Sequence, residues 1–189
     1  MQRVVTSIAA AVFTAVVLVG CTTADGSTSS GSERGHAAST APATPTPTVM
    51  SDEEALQTGV ETFDKLLAAE FELVRTKGES IDQLDALITE NMAEYRESVY
   101  QHSLNGYTAH GALNLVNAQL QKVTSEEIAF YGCVDLSKGY VTDKNGKVVG
   151  GDREGKVASL EINVLRDSEG SWRVDRKSKW EDPSLCSSL

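Results

Sequence analysis

The side chains able to do chemistry are few and widely spaced. The 189 residues hold three cysteines, Cys21, Cys133 and Cys186, and three histidines, His36, His102 and His110. A tetrahedral zinc site needs clustered thiolate and imidazole ligands at short spacing. The chain has no CxxC and no histidine at ligand distance from a cysteine, so neither a metal nor another cofactor is expected. Acid–base work needs a carboxyl, imidazole or phenol held partly out of water, and the groups of suitable type are Tyr95, His102, His110, Tyr131 and Asp135. Asp135 falls at the end of an alternating segment, where an aspartate more often accepts turn hydrogen bonds. It shares parity with Tyr131 and Cys133, which leaves its direction open. His102 and His110 flank an Asn105-Gly106 break and could stand at a pocket mouth, although histidines in such loops are more often solvated.

Cys21 has a different context. Residues 1–20 carry a single cation, Arg3, followed by an apolar run from Ile8 to Val19 interrupted only by Thr14, the pattern of a secretory signal. The run is too short to span a bilayer comfortably. It ends Leu18-Val19-Gly20-Cys21, which resembles the lipobox of bacterial lipoprotein precursors. That resemblance implies a diacylglycerol thioether on Cys21, cleavage after Gly20, and a mature chain anchored on the outer face of the cell membrane. Two or more acyl chains hold a protein stably at about 0.8 kcal/mol per buried methylene. With Cys21 assigned to lipid, Cys133 and Cys186 remain as an even pair in an oxidising compartment, where a disulfide is expected.

Residues 21–50 form the second segment. They are mostly Ser, Thr, Gly, Ala and Pro, and include His36, read as solvated, and a Thr/Pro run from Thr40 to Thr48. Such a composition cannot offset the entropy of ordering and reads as a disordered, semi-extended tether. The remaining residues, 51–189, are enough for one domain. Net charge is -10, so a nucleic-acid partner is excluded and a surface lying flat on anionic headgroups is disfavoured. The cationic cluster Arg173, Arg176, Lys177 and Lys179 is read first as a solvated strand edge and second as a site for an anionic envelope component.

Two periodicities organise the domain. Ser51-Asp52-Glu53-Glu54 has the form of a capping box, and Leu56, Val60, Phe63, Leu67, Phe71 and Val74 follow at helical spacing up to Lys77-Gly78. A second helical region runs from Ser80 to about Asn105 and could divide into two helices. Beyond Gly106 the period becomes two. Val116, Ala118 and Leu120 alternate with polar residues, as do Ile128, Phe130, Gly132 and Val134, then Ala158, Leu160, Ile162 and Val164, and finally Trp172 and Val174. Asn145-Gly146 marks a hairpin turn. Trp172 is expected over the helices, and Trp180 over a barrel end or a partner surface. Helices followed by an antiparallel sheet make an α+β fold.

The order of two helical segments, a curved antiparallel sheet, a Cys-x-Asp at Cys133 and Asp135, and a closing Trp172-Arg173-Val174 strand resembles the nuclear transport factor 2-like superfamily. The Thr/Pro stalk and the late Cys186 are similar to the version found in lipoproteins of actinobacteria. The resemblance implies a cone-like domain whose sheet wraps a helix around a pocket, and makes Tyr95, His102, His110, Tyr131 and Asp135 candidate pocket residues. None of them matches the acid and base positions of the isomerases in that superfamily, so no catalytic residue is assigned. The expectation is a membrane-anchored, non-catalytic domain that binds a small apolar ligand or an envelope protein. The alternative is an isomerase, dehydratase or cyclase working through a pocket Asp or His.

Overall fold

The computed structural model describes residues 50–151, 153–182 and 184–187. The segment expected to be a signal, Cys21, His36 and all of the expected tether except Met50 lie outside the described residues. None of the described helices is long and apolar enough to cross a membrane.

Helix α1 (Asp52–Arg75) is the axis of the domain. Its capping box is complete: Ser51 Oγ accepts from the Glu54 amide at 3.3 Å, and Glu54 Oε2 accepts from the Ser51 amide at 3.1 Å. The helix stops in a Schellman arrangement, with the Gly78 amide donating to Leu73 O and the Lys77 amide to Val74 O. Lys77 occupies the left-handed position there, at φ 54. The buried surface of α1 is wider than the expected stripe, because Ala55, Gly59, Thr62, Leu66, Ala69 and Leu73 are buried beside Phe63, Leu67, Phe71 and Val74. A helix covered on this much of its circumference is enclosed rather than laid on a flat sheet. The approach is close at Gly59, where a Cβ would come within 2.8 Å of the Phe130 ring.

The second helical region is three short pieces: α2 (Ile81–Asp85), a 3-10 turn (Glu90–Met92) and α3 (Ala93–Ser103). Six strands follow: β1 (Thr108–Gly111), β2 (Leu115–Val123), β3 (Glu127–Asp135), β4 (Gly139–Thr142), β5 (Val157–Arg166) and β6 (Trp172–Lys179). Strands β2, β3, β5 and β6 form one antiparallel sheet in that order, while β1 and β4 pair as a separate two-stranded ribbon. The core lies between α1 and the main sheet. Phe63, Leu66, Leu73, Ile128, Phe130, Ile162, Val164 and Val174 are fully buried in it, each large aliphatic or aromatic side chain stabilising by about 1.5–3 kcal/mol.

Three irregularities bend the sheet and change which residues face inward. The register shifts between Leu115 and Asn117 and again between Leu120 and Lys122. As a result Leu115 is buried while Val116, expected on the apolar face, is 41% exposed. In β6 the register shifts at Asp175, because Val164 pairs with Val174 but Asn163 pairs with Arg176. Beyond that bulge Lys177 stands opposite the fully buried Ile162 and shares its inward face. The cationic cluster is therefore divided, and the solvated-edge reading fails for Lys177. The start of the β6 edge is also paired: Val174 N donates to Leu87 O at 2.8 Å, and Thr89 N donates to Val174 O at 3.0 Å.

The outer face of β3 is covered by the C-terminal tail. Trp180 stacks on Tyr131 with ring centroids 3.9 Å apart and planes at 2°. Cys133 and Cys186 are bridged, their Cα atoms 5.6 Å apart, and Asn117 Nδ2 donates to Leu185 O at 3.1 Å. Cys133 is fully buried, although its parity takes it away from the main core.

Candidate functional site

Helix α1, helix α3, and a third wall built from the segment before β2 and from β4 converge at one place. Between them lies a cavity of 510 Å³, a volume within the range of small-molecule sites. Phe71 and Val74 of α1, Val99 of α3, Leu113 and Val141 supply apolar surface. Glu70, Ser98, Gln101, His102, Asn105 and Arg153 supply polar groups. The spacing of each helix explains the convergence. Glu70 and Val74 stand one turn apart on α1, as Ser98 and His102 do on α3.

Glu70 belongs to a polar cluster with Lys177 and Tyr95. It occupies the apolar stripe of α1, three residues after Leu67 and seven after Phe63, so a carboxylate is brought toward the core. Burial pushes the Glu70 carboxyl above its ordinary range, and the nearby Lys177 ammonium pulls it partly back. Lys177 Nζ donates to Glu70 Oε1 at 2.8 Å and to the Tyr95 hydroxyl at 2.6 Å, while the Tyr95 hydroxyl donates to the same Glu70 oxygen. The ammonium also sits 4.1 Å from the centre of the Tyr95 ring. Glu70 Oε2 has no partner among the described residues. Chemically, the cluster joins β6 to α1 and α3 and presents one carboxylate edge at the cavity wall. Both of those contacts fall on Oε1, so Lys177 and Tyr95 occupy one carboxylate oxygen and leave the other open at the cavity wall.

The five expected pocket residues do not converge. Tyr95 is next to the cavity through Glu70, and His102 lines it, with its ring 4.5 Å from that of Tyr107. His110 belongs to the ribbon instead: its ring stacks on Tyr140 at 4.8 Å, and Nε2 lies 2.9 Å from Thr142 Oγ1. Tyr131 is on the opposite face of the sheet beneath Trp180. Asp135 closes a turn, Oδ1 accepting from the Ser137 hydroxyl at 2.6 Å and from its amide at 2.9 Å. Those bonds hold its carboxyl below the usual range, the opposite of what a pocket base requires. The shared cause for Tyr131 and Asp135 is strand parity, since even-numbered residues of β3 face the core. Glu70, Lys177 and Arg153 were not singled out as pocket residues from the sequence. Among the described residues no group of three or more His, Cys, Asp or Glu could hold a metal ion.

The class defined by these observations is an α+β domain in which helices pack into a curved antiparallel sheet and leave a ligand-sized cavity at one end. No protein-family model matches the sequence, and neither does any curated protein. Solved structures do show likeness. A provisionally named aromatic ring hydroxylase from Novosphingobium aromaticivorans is 18% identical, with 66% of this chain and 90% of that one covered and a TM-score of 0.47. The intermembrane space region of the chloroplast protein ARC6 is 10% identical over 65% of this chain and 97% of that one, with a TM-score of 0.41. CagV, a VirB8 homologue of T4SS from Helicobacter pylori, is 10% identical over 66% and 99%, with a TM-score of 0.37.

Proposed function

We propose that this chain is an exported lipoprotein, lipid-anchored through Cys21 on the outer face of the cell membrane, whose domain from residue 51 is nuclear transport factor 2-like and binds a small, largely apolar ligand without catalysis. The observation that carries the reading is the 510 Å³ cavity, whose acid, Glu70, is already matched to a cation and a phenol. A binding site needs apolar walls and a few fixed polar groups, and the ion pair that holds Glu70 to Lys177 fixes one of them. The order of helices before an antiparallel sheet supports the fold assignment, and the Leu18 to Cys21 pattern with its Thr/Pro tether supports the anchor. A tether of this kind would also suit a domain that docks an envelope protein.

Native and denaturing mass spectrometry of the chain extracted from membranes tests the whole proposal. A lipid increment on Cys21 and a small molecule released on denaturation are expected. Val99→Trp, which fills the cavity from α3, should abolish the co-purifying species while leaving the lipid. A chain that lacks the acyl increment contradicts the anchor. An empty cavity in wild type that stays empty with candidate ligands shifts the reading to a protein partner.

A further inference from the structure

Two cations of different character lie close to the cavity, one behind Glu70 and one on its lining. Lys177 is committed to Glu70 and Tyr95, as described. Arg153 enters from the loop between β4 and β5, lines the cavity and is half-buried. Its Nη1 donates to Gly139 O at 3.2 Å, which fixes one end of the guanidinium. Gly150 lies beneath it, where a Cβ would come within 3.2 Å of Nη2. No ion pair of Arg153 is found among the described residues, in a chain whose net charge is -10. A positioned guanidinium in an acidic protein, at the edge of a cavity of mixed polar and apolar lining and without a carboxylate partner among those residues, leaves donors for one from outside. Arginine presents a planar fork that fits a carboxylate better than a point cation does. The Gln101 and Asn105 amides of the same wall can add neutral hydrogen bonds, and Phe71, Val99 and Val141 face the rest of the space.

We infer that the ligand of this cavity is an amphipathic monocarboxylate, its carboxylate on Arg153 and its compact apolar body against Phe71, Val99 and Val141. This rests on the ligand-binding reading above and adds the chemistry of the head group. A neutral apolar ligand would leave the Arg153 donors without an acceptor of matching charge, and a cationic one would face it directly.

The test uses the full chain in phospholipid nanodiscs, with empty nanodiscs subtracted, and two probes of nearly equal shape: naphthalene-2-carboxylate and naphthalene-2-carboxamide. Calorimetric titration should show the carboxylate binding about tenfold tighter than the amide, the scale of a hydrogen bond to a charged group. Arg153→Gln should remove that preference while leaving the affinity for the amide within about twofold, and Arg153→Lys should restore only part of it. Equal binding of both probes by wild type, or a preference that survives in Arg153→Gln, overturns the inference while sparing the cavity reading. Failure of both probes to bind overturns the inference and counts against the cavity as an apolar-ligand site.

Discussion

Replacing Lys177 with Met removes the ammonium that sits 2.8 Å from Glu70 and 2.6 Å from the Tyr95 hydroxyl, and leaves an apolar chain of similar length. Glu70 then keeps only the Tyr95 hydroxyl, in surroundings whose burial already pushes its carboxyl upward. A ceiling on the damage follows from protonation. Neutralising a carboxyl of ordinary pKa, about 4.3, at pH 7 costs roughly 3.7 kcal/mol, because each pKa unit corresponds to about 1.36 kcal/mol. The Glu70 and Lys177 side chains are 19% and 21% exposed, so solvent screens part of the loss. A destabilisation of about 2 kcal/mol at pH 7 is therefore expected, below the roughly 3–5 kcal/mol seen when a fully buried pair is broken. The pH dependence has a definite sign. A carboxyl whose folded pKa is raised binds more protons in the native state, so stability falls as pH rises from the unfolded value through the folded one. The Lys177→Met deficit should thus be largest at pH 7 and shrink toward pH 5. Urea denaturation at the two pH values measures it, with an unchanged m-value reporting an intact fold. Glu70→Leu combined with Lys177→Met should recover to within about 1 kcal/mol of wild type, since no unpaired charge is left. A Lys177→Met loss below about 0.5 kcal/mol, or one of equal size at both pH values, would refute the cluster as a coupled unit.

Two further outcomes concern stability away from the cavity. Breaking the Cys133–Cys186 link, which spans 53 residues, should cost about 4 kcal/mol in the chain-entropy account; reduction should also loosen the Tyr131–Trp180 stack, giving a tryptophan emission shift before global unfolding, and emission unchanged until the main transition would show that the tail is held by other contacts. Lys77→Gly should raise stability by about 0.5–1 kcal/mol, because Lys77 holds the left-handed position after α1 where a Cβ is disfavoured; a calorimetric melting temperature at or below wild type would contradict that account.

How far the fold could be read depended on whether local pattern and tertiary position agreed. They agree for α1, where Ser51 and Glu54 cap one end and the apolar stripe runs to Gly78. They agree again for β3 and β5, whose alternating residues Ile128, Phe130, Ile162 and Val164 are all fully buried. They part at the bulges. A period of two carries one binary choice, and one inserted residue inverts it for everything downstream. The insertion between Leu115 and Asn117 placed Val116 outside. The one at Asp175 placed Lys177 inside, and Asp175 Oδ1 stabilises that bend by accepting from Thr89 Oγ1 at 2.6 Å and Asn91 Nδ2 at 2.9 Å. Neither Thr89 nor Asn91 is near β6 in sequence, so no local pattern could signal the bulge. The ribbon of β1 and β4 was invisible for another reason, since four-residue strands with Thr, His, Gly and Tyr show too little alternation to stand out from a loop.

Half of the Glu70–Lys177 pair was nonetheless legible. Phe63, Leu67, Glu70 and Val74 lie at successive three- and four-residue steps, so the helical period that predicts a buried face also predicts a carboxylate within it. A carboxylate in such a stripe needs a cation or several donors, because an unpaired buried charge is too costly to retain. The cationic cluster at Arg173 to Lys179 was the nearest dense supply on an acidic chain, and its reading as a solvated edge left the acid without a partner. Together the two facts call for one member of that cluster to turn inward: in an unbroken strand it would be Arg176, which shares the parity of Val174, and Lys177 takes that place only through a parity break. That break is what the Asp175 bulge supplies, and through Glu70 it also sets the polarity of one cavity wall. Arg153 lines the same cavity and has no ion pair among the described residues.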